Sequence, residues 1–292
     1  MPMDELFDFQ DISRSEATIR KTWGEFRSAL ANKEFAYDDT HKALSHTFLR
    51  VFDDTHSHMQ DELKKPFSFL KSKVLVRGTK IRPDETPDYN RMIPVAEYIK
   101  DDNRFSPPGI EWLYLAVGDN RLDALLCSKT ECRVEKNDRF ASCVFEIDNS
   151  TECLFLMDLT VSDDSTYEEN NKRLELAGQK YKNKAVRRSL QIGIPIPTNL
   201  EEKKKMEAEI GKWVFNTYMK LLSEQIFLPL DSTDDKSLMY APFQCLAKYF
   251  ISKGYSGIIY KSTVCQKGKN VVLFDKRYAN PVGKIFIEET IV

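Results

Sequence analysis

The residues predict a helical N-terminal segment, 1–70, followed by one mixed α/β domain from about residue 71 to residue 292, and three observations carry that expectation. Residues 14 to about 70 place Trp23, Phe26 and Leu30 on one helical face and Leu44, Phe48, Leu49, Val51 and Phe52 on another. From Lys73 onward, short apolar runs bounded by Gly, Pro and polar clusters replace that period, as strands do. The stretch from Tyr240 to Asp275 reads as helix, strand, loop, strand. Phe243, Leu246, Ala247, Phe250 and Ile251 recur at helical steps behind Pro242, which suits a first turn, and Gly254 stops the helix.

Taken in order, Val74-Leu75-Val76 is a strand that ends on Arg77-Gly78, and a polar loop rich in proline runs from Arg82 to Asp102. Arg104 to Ile110 is a rigid connector, Trp112 to Ala116 a strand, and Asp123 to Leu126 a short helix. Glu131 to Val134 begins an extended segment, and Ala141 to Ile147 is a strand. After the apolar run Leu154 to Leu159 comes a polar insertion at about 160–235. Pro195 and Pro197 mark a loop in it, and a helix from Glu201 to Gln225 turns Ile210, Trp213, Val214, Tyr218, Leu221 and Leu222 inward. Gly257 to Tyr260 is a short buried strand that delivers Ser262 and Thr263 to its end. Lys267 to Asn270 turns the chain into a last apolar strand, Val271 to Phe274.

Composition narrows the function. With 292 residues and 41% hydrophobic content the chain can bury one large core, or one core plus a small appendage. Its 43 basic and 45 acidic residues, net charge of -2 and pI near 6.2 argue against a general nucleic-acid binder. No apolar run approaches the roughly 18 residues of a membrane span, and the acidic start, Asp4 to Asp8, is unlike a signal peptide. A cytoplasmic protein that meets neither membrane nor nucleic acid is expected. The six cysteines form no C-x-x-C pair, so free, mostly buried thiols are expected, with no metal site. All four histidines lie between His41 and His58, so a site in the C-terminal part works without one. His56-Ser57-His58 reads as a surface pair. The spacing of Arg50 and His56 matches the loose pattern of the HEPN ribonucleases, but two common residues at a permissive spacing carry little weight.

The candidate chemistry lies elsewhere. Arg77 can fork onto a phosphate or carboxylate, Arg104 stands in a rigid connector, and Ser262 precedes a Gly/Lys/Asn turn where hydroxyls and amides could hold an anion or a ribose. The set Arg77-Gly78, Arg104-Phe105-x-Pro-Pro-Gly-Ile, Tyr114-Leu-Ala, Glu131-x-Arg133, Gly257-Ile-Ile-Tyr-x-Ser262 and Asn270-Val-Val-Leu-Phe resembles, in the same order, the RES-domain family of NAD-degrading toxins. That resemblance runs from about Val74 to Asp275 and implies an α+β fold, with an ADP-ribosyltransferase-like split β-sheet core and flanking helices, preceded here by the helical N-terminal segment. It also implies cleavage of the nicotinamide-ribose bond of NAD, with ADP-ribose passed to phosphate or water. On this reading NAD is a substrate and there is no separate cofactor. The role implied is the toxin of a bacterial toxin-antitoxin pair, with a cognate antitoxin as partner. Arg77, Glu131 and Ser262 are the expected catalytic residues, and Arg104, Tyr114 and Asn270 the expected substrate-binding ones. The chain departs from the family in having extra residues around Cys127 to Thr130, which makes Glu135 and Glu111 rival carboxylates. Protein ADP-ribosylation and NAD binding without turnover are the alternatives.

The residue types fit the chemistry. In NAD the leaving nicotinamide is already a cationic pyridinium, so its departure needs no general acid, only help for an oxocarbenium-like transition state. Glu131 could stabilise that positive charge while Arg77 holds a phosphate of the dinucleotide and Tyr114 stacks on the cationic ring. Ser262 would orient Arg77 or the ribose. Arg104 would meet the second phosphate or inorganic phosphate.

Overall fold

The structure is a computed structural model that describes residues 11–162, 165–193, 199–226, 235–262, 264–265 and 268–289, with the side chains of 58 and 60–62 left out. The expectations for Asp4 to Asp8, Pro195, Pro197, Thr263, Lys267 and the His58 ring fall outside the described residues. The elements are α1 (Ile12–Ala31), α2 (Thr40–Ala43), α3 (Thr47–Leu63), β1 (Lys64–Pro66), α4 (Ser68–Lys71), β2 (Val74–Ile81) and α5 (Tyr89–Met92). After them come β3 (Leu113–Gly118), α6 (Arg121–Glu131), β4 (Arg139–Ile147), β5 (Phe155–Asp158), α7 (Tyr167–Ile192) and α8 (Leu200–Ile226). The chain then adds α9 (Lys236–Ser252), β6 (Gly257–Lys261), β7 (Lys269–Leu273) and β8 (Ala279–Glu289).

Among the described residues eight strands form a sheet in the order β1-β5-β6-β7-β3-β2-β4-β8, antiparallel except where β5 runs beside β6. Side chains alternate across it as the pleat requires. Ile258 and Val272 point into the helical layer, while their neighbours Ile259 and Val271 join Leu75, Leu113 and Leu273 on the opposite face. The helical layer is one aromatic core: Trp23, Phe26, Phe48 and Phe52 of α1 and α3 pack with Tyr218 of α8 and with Phe243, Tyr249 and Phe250 of α9. The N-terminal helices thus share their core with the C-terminal ones, and β1 joins the edge of the sheet.

Four expectations change. β2 does not end at Arg77-Gly78, because β4 pairs along it from Leu75 to Ile81. The insertion contains a second long helix, α7, opened by a capping box between Thr166 and Glu169. α9 begins at Lys236 and not at Pro242, since Asp235 accepts the amides of Ser237 and Leu238 and starts the helix earlier, leaving Pro242 buried in its interior. His56 is no surface residue. It is 1% exposed, bonds the Tyr255 hydroxyl at 2.9 Å, and burial pulls its pKa down to about 4, so it is a neutral core histidine. Among the described residues no cluster of His, Cys, Asp and Glu could hold a metal, and no helix is long and apolar enough to cross a membrane.

The feature that positions the site is a split in the sheet. β2 and β3 pair only from Val74 to Val76 against Ala116 to Gly118. Past Val76 the two strands diverge, although β2 stays paired to β4 and β3 stays paired to β7. The gap between them is a cleft of about 530 Å³, within the range of small-molecule sites.

Candidate active site

Arg77, Arg104, Tyr114, Glu131 and Asn270 all line this cleft, and Ser262 is bonded to Glu131 at its floor. Each is delivered by a different part of the chain. Arg77 stands on β2 where the strands part, and its Nη1 donates across the gap to the Tyr114 carbonyl at 3.4 Å. It has no carboxylate partner among the described residues, and burial pulls its pKa down to about 10, which leaves it cationic at neutral pH. Among the described residues the cleft therefore holds a half-buried guanidinium with most of its donors unspent.

Glu131 comes from the end of α6, which the sequence reading placed in an extended segment. The helix runs eleven residues from the Asn120 cap, so Glu131 is its last residue. Arg133, with φ at 49°, takes the left-handed position that glycine usually fills. The Val134 amide reaches Lys129 O and the Arg133 amide reaches Thr130 O, the paired closure of a helix C-terminus. Gly78 permits the close approach of α6: a Cβ there would stand 2.7 Å from Ser128 Oγ and 2.1 Å from Phe140 Cζ. The Gly78 carbonyl, facing the split, accepts from Cys132 Sγ at 3.2 Å.

One carboxylate oxygen of Glu131 is fixed twice. Ser262 Oγ donates to Oε1 at 2.6 Å, and so does Asn270 Nδ2 at 2.6 Å. Both donors are almost wholly buried, and both are themselves held: the amides of Val264 and Cys265 donate to Ser262 Oγ, while Cys127 Sγ donates to Asn270 Oδ1 at 3.5 Å. Oε2 has no hydrogen bond among the described residues. Ser262 accordingly orients Glu131, not Arg77 as the sequence reading allowed. The rival carboxylates are elsewhere. Glu111 is bound to Lys276 at 2.6 Å and to the Ala96 amide, and Glu135 is exposed beside Asp138.

Two tyrosines wall the site in neutral form. Burial pushes the Tyr114 phenol far above its ordinary range, and its oxygen pairs with Ser106 Oγ at 2.9 Å. Burial, with Glu131 nearby, does the same to Tyr260. Arg104 lies 5.4 Å from the centre of the Tyr240 ring, and Gln244 holds the connector by donating to Asp102 Oδ1 at 2.8 Å and to the Asn103 carbonyl. Arg133 also lines the cleft, and the sequence assigns it no role beyond its place in the Glu131-x-Arg133 motif. No local pattern announces an arginine in the left-handed conformation.

No family model matches the chain, and no curated protein matches it. Among solved structures, one similar chain belongs to the "M.tuberculosis MbcT-MbcA toxin-antitoxin complex", at 8% identity over 81% of this chain and 92% of that one. The TM-score is 0.35, a likeness too distant to bear on fold or function.

Proposed function

We infer that the cleft binds NAD and cleaves its nicotinamide-ribose bond, passing ADP-ribose to phosphate or water. The observation that carries this reading is that one cleft is lined both by a carboxylate fixed by two buried donors and by an arginine with no carboxylate partner among the described residues. An anion would pair with Arg77, and a developing cation is what Glu131 is arranged to meet. A dinucleotide with a pyridinium leaving group offers both.

In the proposed reaction Arg77 and Arg104 hold the pyrophosphate, and Tyr114 and Tyr260 shield the scissile bond from bulk water. As the C-N bond breaks, its electron pair leaves with neutral nicotinamide and positive charge spreads over the anomeric carbon and ring oxygen. Glu131 stabilises that charge without having to reorient, because Ser262 and Asn270 already hold its Oε1. No histidine is required. The role as toxin of a toxin-antitoxin pair, with a cognate antitoxin, rests on the family resemblance of the motifs. Incubating the protein with NAD labelled in the adenylate moiety tests the reading: free nicotinamide with no label on protein supports it. Label transferred to protein replaces it with protein ADP-ribosylation, and unchanged NAD removes the activity.

A further inference from the structure

Behind the carboxylate lie two thiols from distant parts of the chain. Cys127 stands one helical turn before Glu131 on α6 and is wholly buried, and the half-buried Cys265 follows Ser262 in the loop after β6. The point where a Gly268 Cβ would stand is 2.5 Å from Cys127 Sγ and 3.0 Å from Cys265 Sγ, so the two sulfurs crowd one small space that only glycine leaves open. The two cysteines also support the two donors that fix Glu131. Cys127 supplies its S-H to Asn270 Oδ1, which turns Asn270 Nδ2 toward the carboxylate, and the Cys265 backbone N-H, with that of Val264, holds Ser262 Oγ.

We propose that Cys127 and Cys265 are a reversible disulfide site that takes peroxide as its oxidant and, when closed, loosens both donors to Glu131. The consequence for turnover rests on the function proposed above. The chemistry balances with hydrogen peroxide. Cys265, the more accessible sulfur, attacks one peroxide oxygen, breaking the O-O bond to give a sulfenic acid and one water. Cys127 then attacks that sulfur, the S-O bond breaks, a second water leaves and the S-S bond forms. The two thiols lose two electrons and two protons, and the peroxide is reduced to two waters. Burial raises the Cys127 thiol to about 12, so the second step is slow at neutral pH and quickens as pH rises. Closure removes the S-H that Asn270 accepts and pulls the Val264-Cys265 backbone toward α6. A thiol reductant reverses it.

The test treats the whole protein with hydrogen peroxide and reads three quantities: the Cys127–Cys265 linked peptide under non-reducing digestion, amide hydrogen exchange at Val264 and Cys265, and NAD turnover. The expected result is a linked peptide two mass units lighter than the two thiol peptides, exchange at both amides faster by tenfold or more, and turnover reduced at least tenfold, all restored by dithiothreitol. Cys265→Ser removes the sulfur and keeps the backbone donor, so whatever turnover that variant has should be the same before and after peroxide. Absence of the linked peptide, or a linked peptide with unchanged exchange, overturns the proposal whether or not the reduced protein cleaves NAD. Turnover that survives a fully formed disulfide overturns the switch. Reduced protein inert towards NAD refutes the proposed activity, and the peptide and exchange readouts still decide the thiol site.

Discussion

Replacing Glu131 by glutamine removes a charge while leaving an oxygen for Ser262 Oγ and Asn270 Nδ2 to bond, so the perturbation is chiefly electrostatic. Two contacts of 2.6 Å hold Oε1 in the wild type, and the amide oxygen can take the same place. A carboxylate about 4 Å from a full positive charge is worth roughly 4 kcal/mol at an effective dielectric near 20. Loss of one preorganised electrostatic contact of this kind typically costs about a hundred- to a thousandfold in rate, or about 2.7–4 kcal/mol. Bound NAD carries no oxocarbenium charge, so kcat should fall by that amount while Kd changes less than about threefold. Steady-state release of nicotinamide gives kcat, isothermal titration gives Kd, and a thermal melt shows whether the variant is folded. A folded Glu131→Gln protein that turns over within about fivefold of wild type contradicts this reasoning outright.

The remaining predictions follow from the same geometry. Glu135→Gln should be nearly silent in kcat, since its side chain is exposed and away from the cleft; a dead Glu135 variant beside an active Glu131 variant would reassign the carboxylate. Arg77→Lys should weaken NAD binding and Arg77→Ala weaken it more, because a point charge does not replace a planar fork; unchanged affinity in both removes Arg77 from the site. Gly78→Ala puts a methyl 2.1 Å from Phe140 Cζ and should cost about 1–3 kcal/mol in a denaturant titration, with turnover lost as α6 shifts; wild-type stability would mean α6 need not approach so closely. His56→Ala should lower stability and leave turnover intact in the folded protein. With a pKa near 4 when folded and 6.5 when free, His56 weakens the fold as pH falls from about 6.5 to 4, because only the unfolded chain takes up the proton there. Below 4 both states are protonated and the loss is complete. The His56→Ala variant should show a shallower stability slope across that window, and an unchanged slope would place the titration elsewhere.

How far the sequence disclosed this arrangement depends on which physical signal each residue leaves. The strands around Val74, Leu113, Ala141, Ile258 and Val271 were legible because buried strands are short apolar runs with polar ends. α7 was not, because only Asn170, Leu174 and Ala185 along it are buried, too sparse a stripe to show periodicity against its lysines and arginines. The end of α6 was hidden for a different reason. Arg133 occupies the left-handed closing position without the glycine that usually marks it, so Glu131 read as extended chain. His56 misled because its polarity suggested a surface, whereas Tyr255, 199 residues away along the chain, supplies its buried partner. The candidate site residues rest on the order of their motifs, yet the roles of Ser262 and Asn270 as joint donors to one oxygen are visible only in three dimensions, since the contacts span 131 and 139 residues.

The most direct measurement of the central claim is a proton NMR time course of NAD mixed with the reduced wild-type protein, with and without inorganic phosphate. Cleavage at this cleft predicts that the nicotinamide ring signals of NAD are replaced by those of free nicotinamide. ADP-ribose should accumulate without phosphate, or its 1-phosphate with it, and the Glu131→Gln protein should slow the exchange of signals at least a hundredfold. NAD that binds and stays intact under both conditions would contradict the account and leave the cleft as a binding site alone.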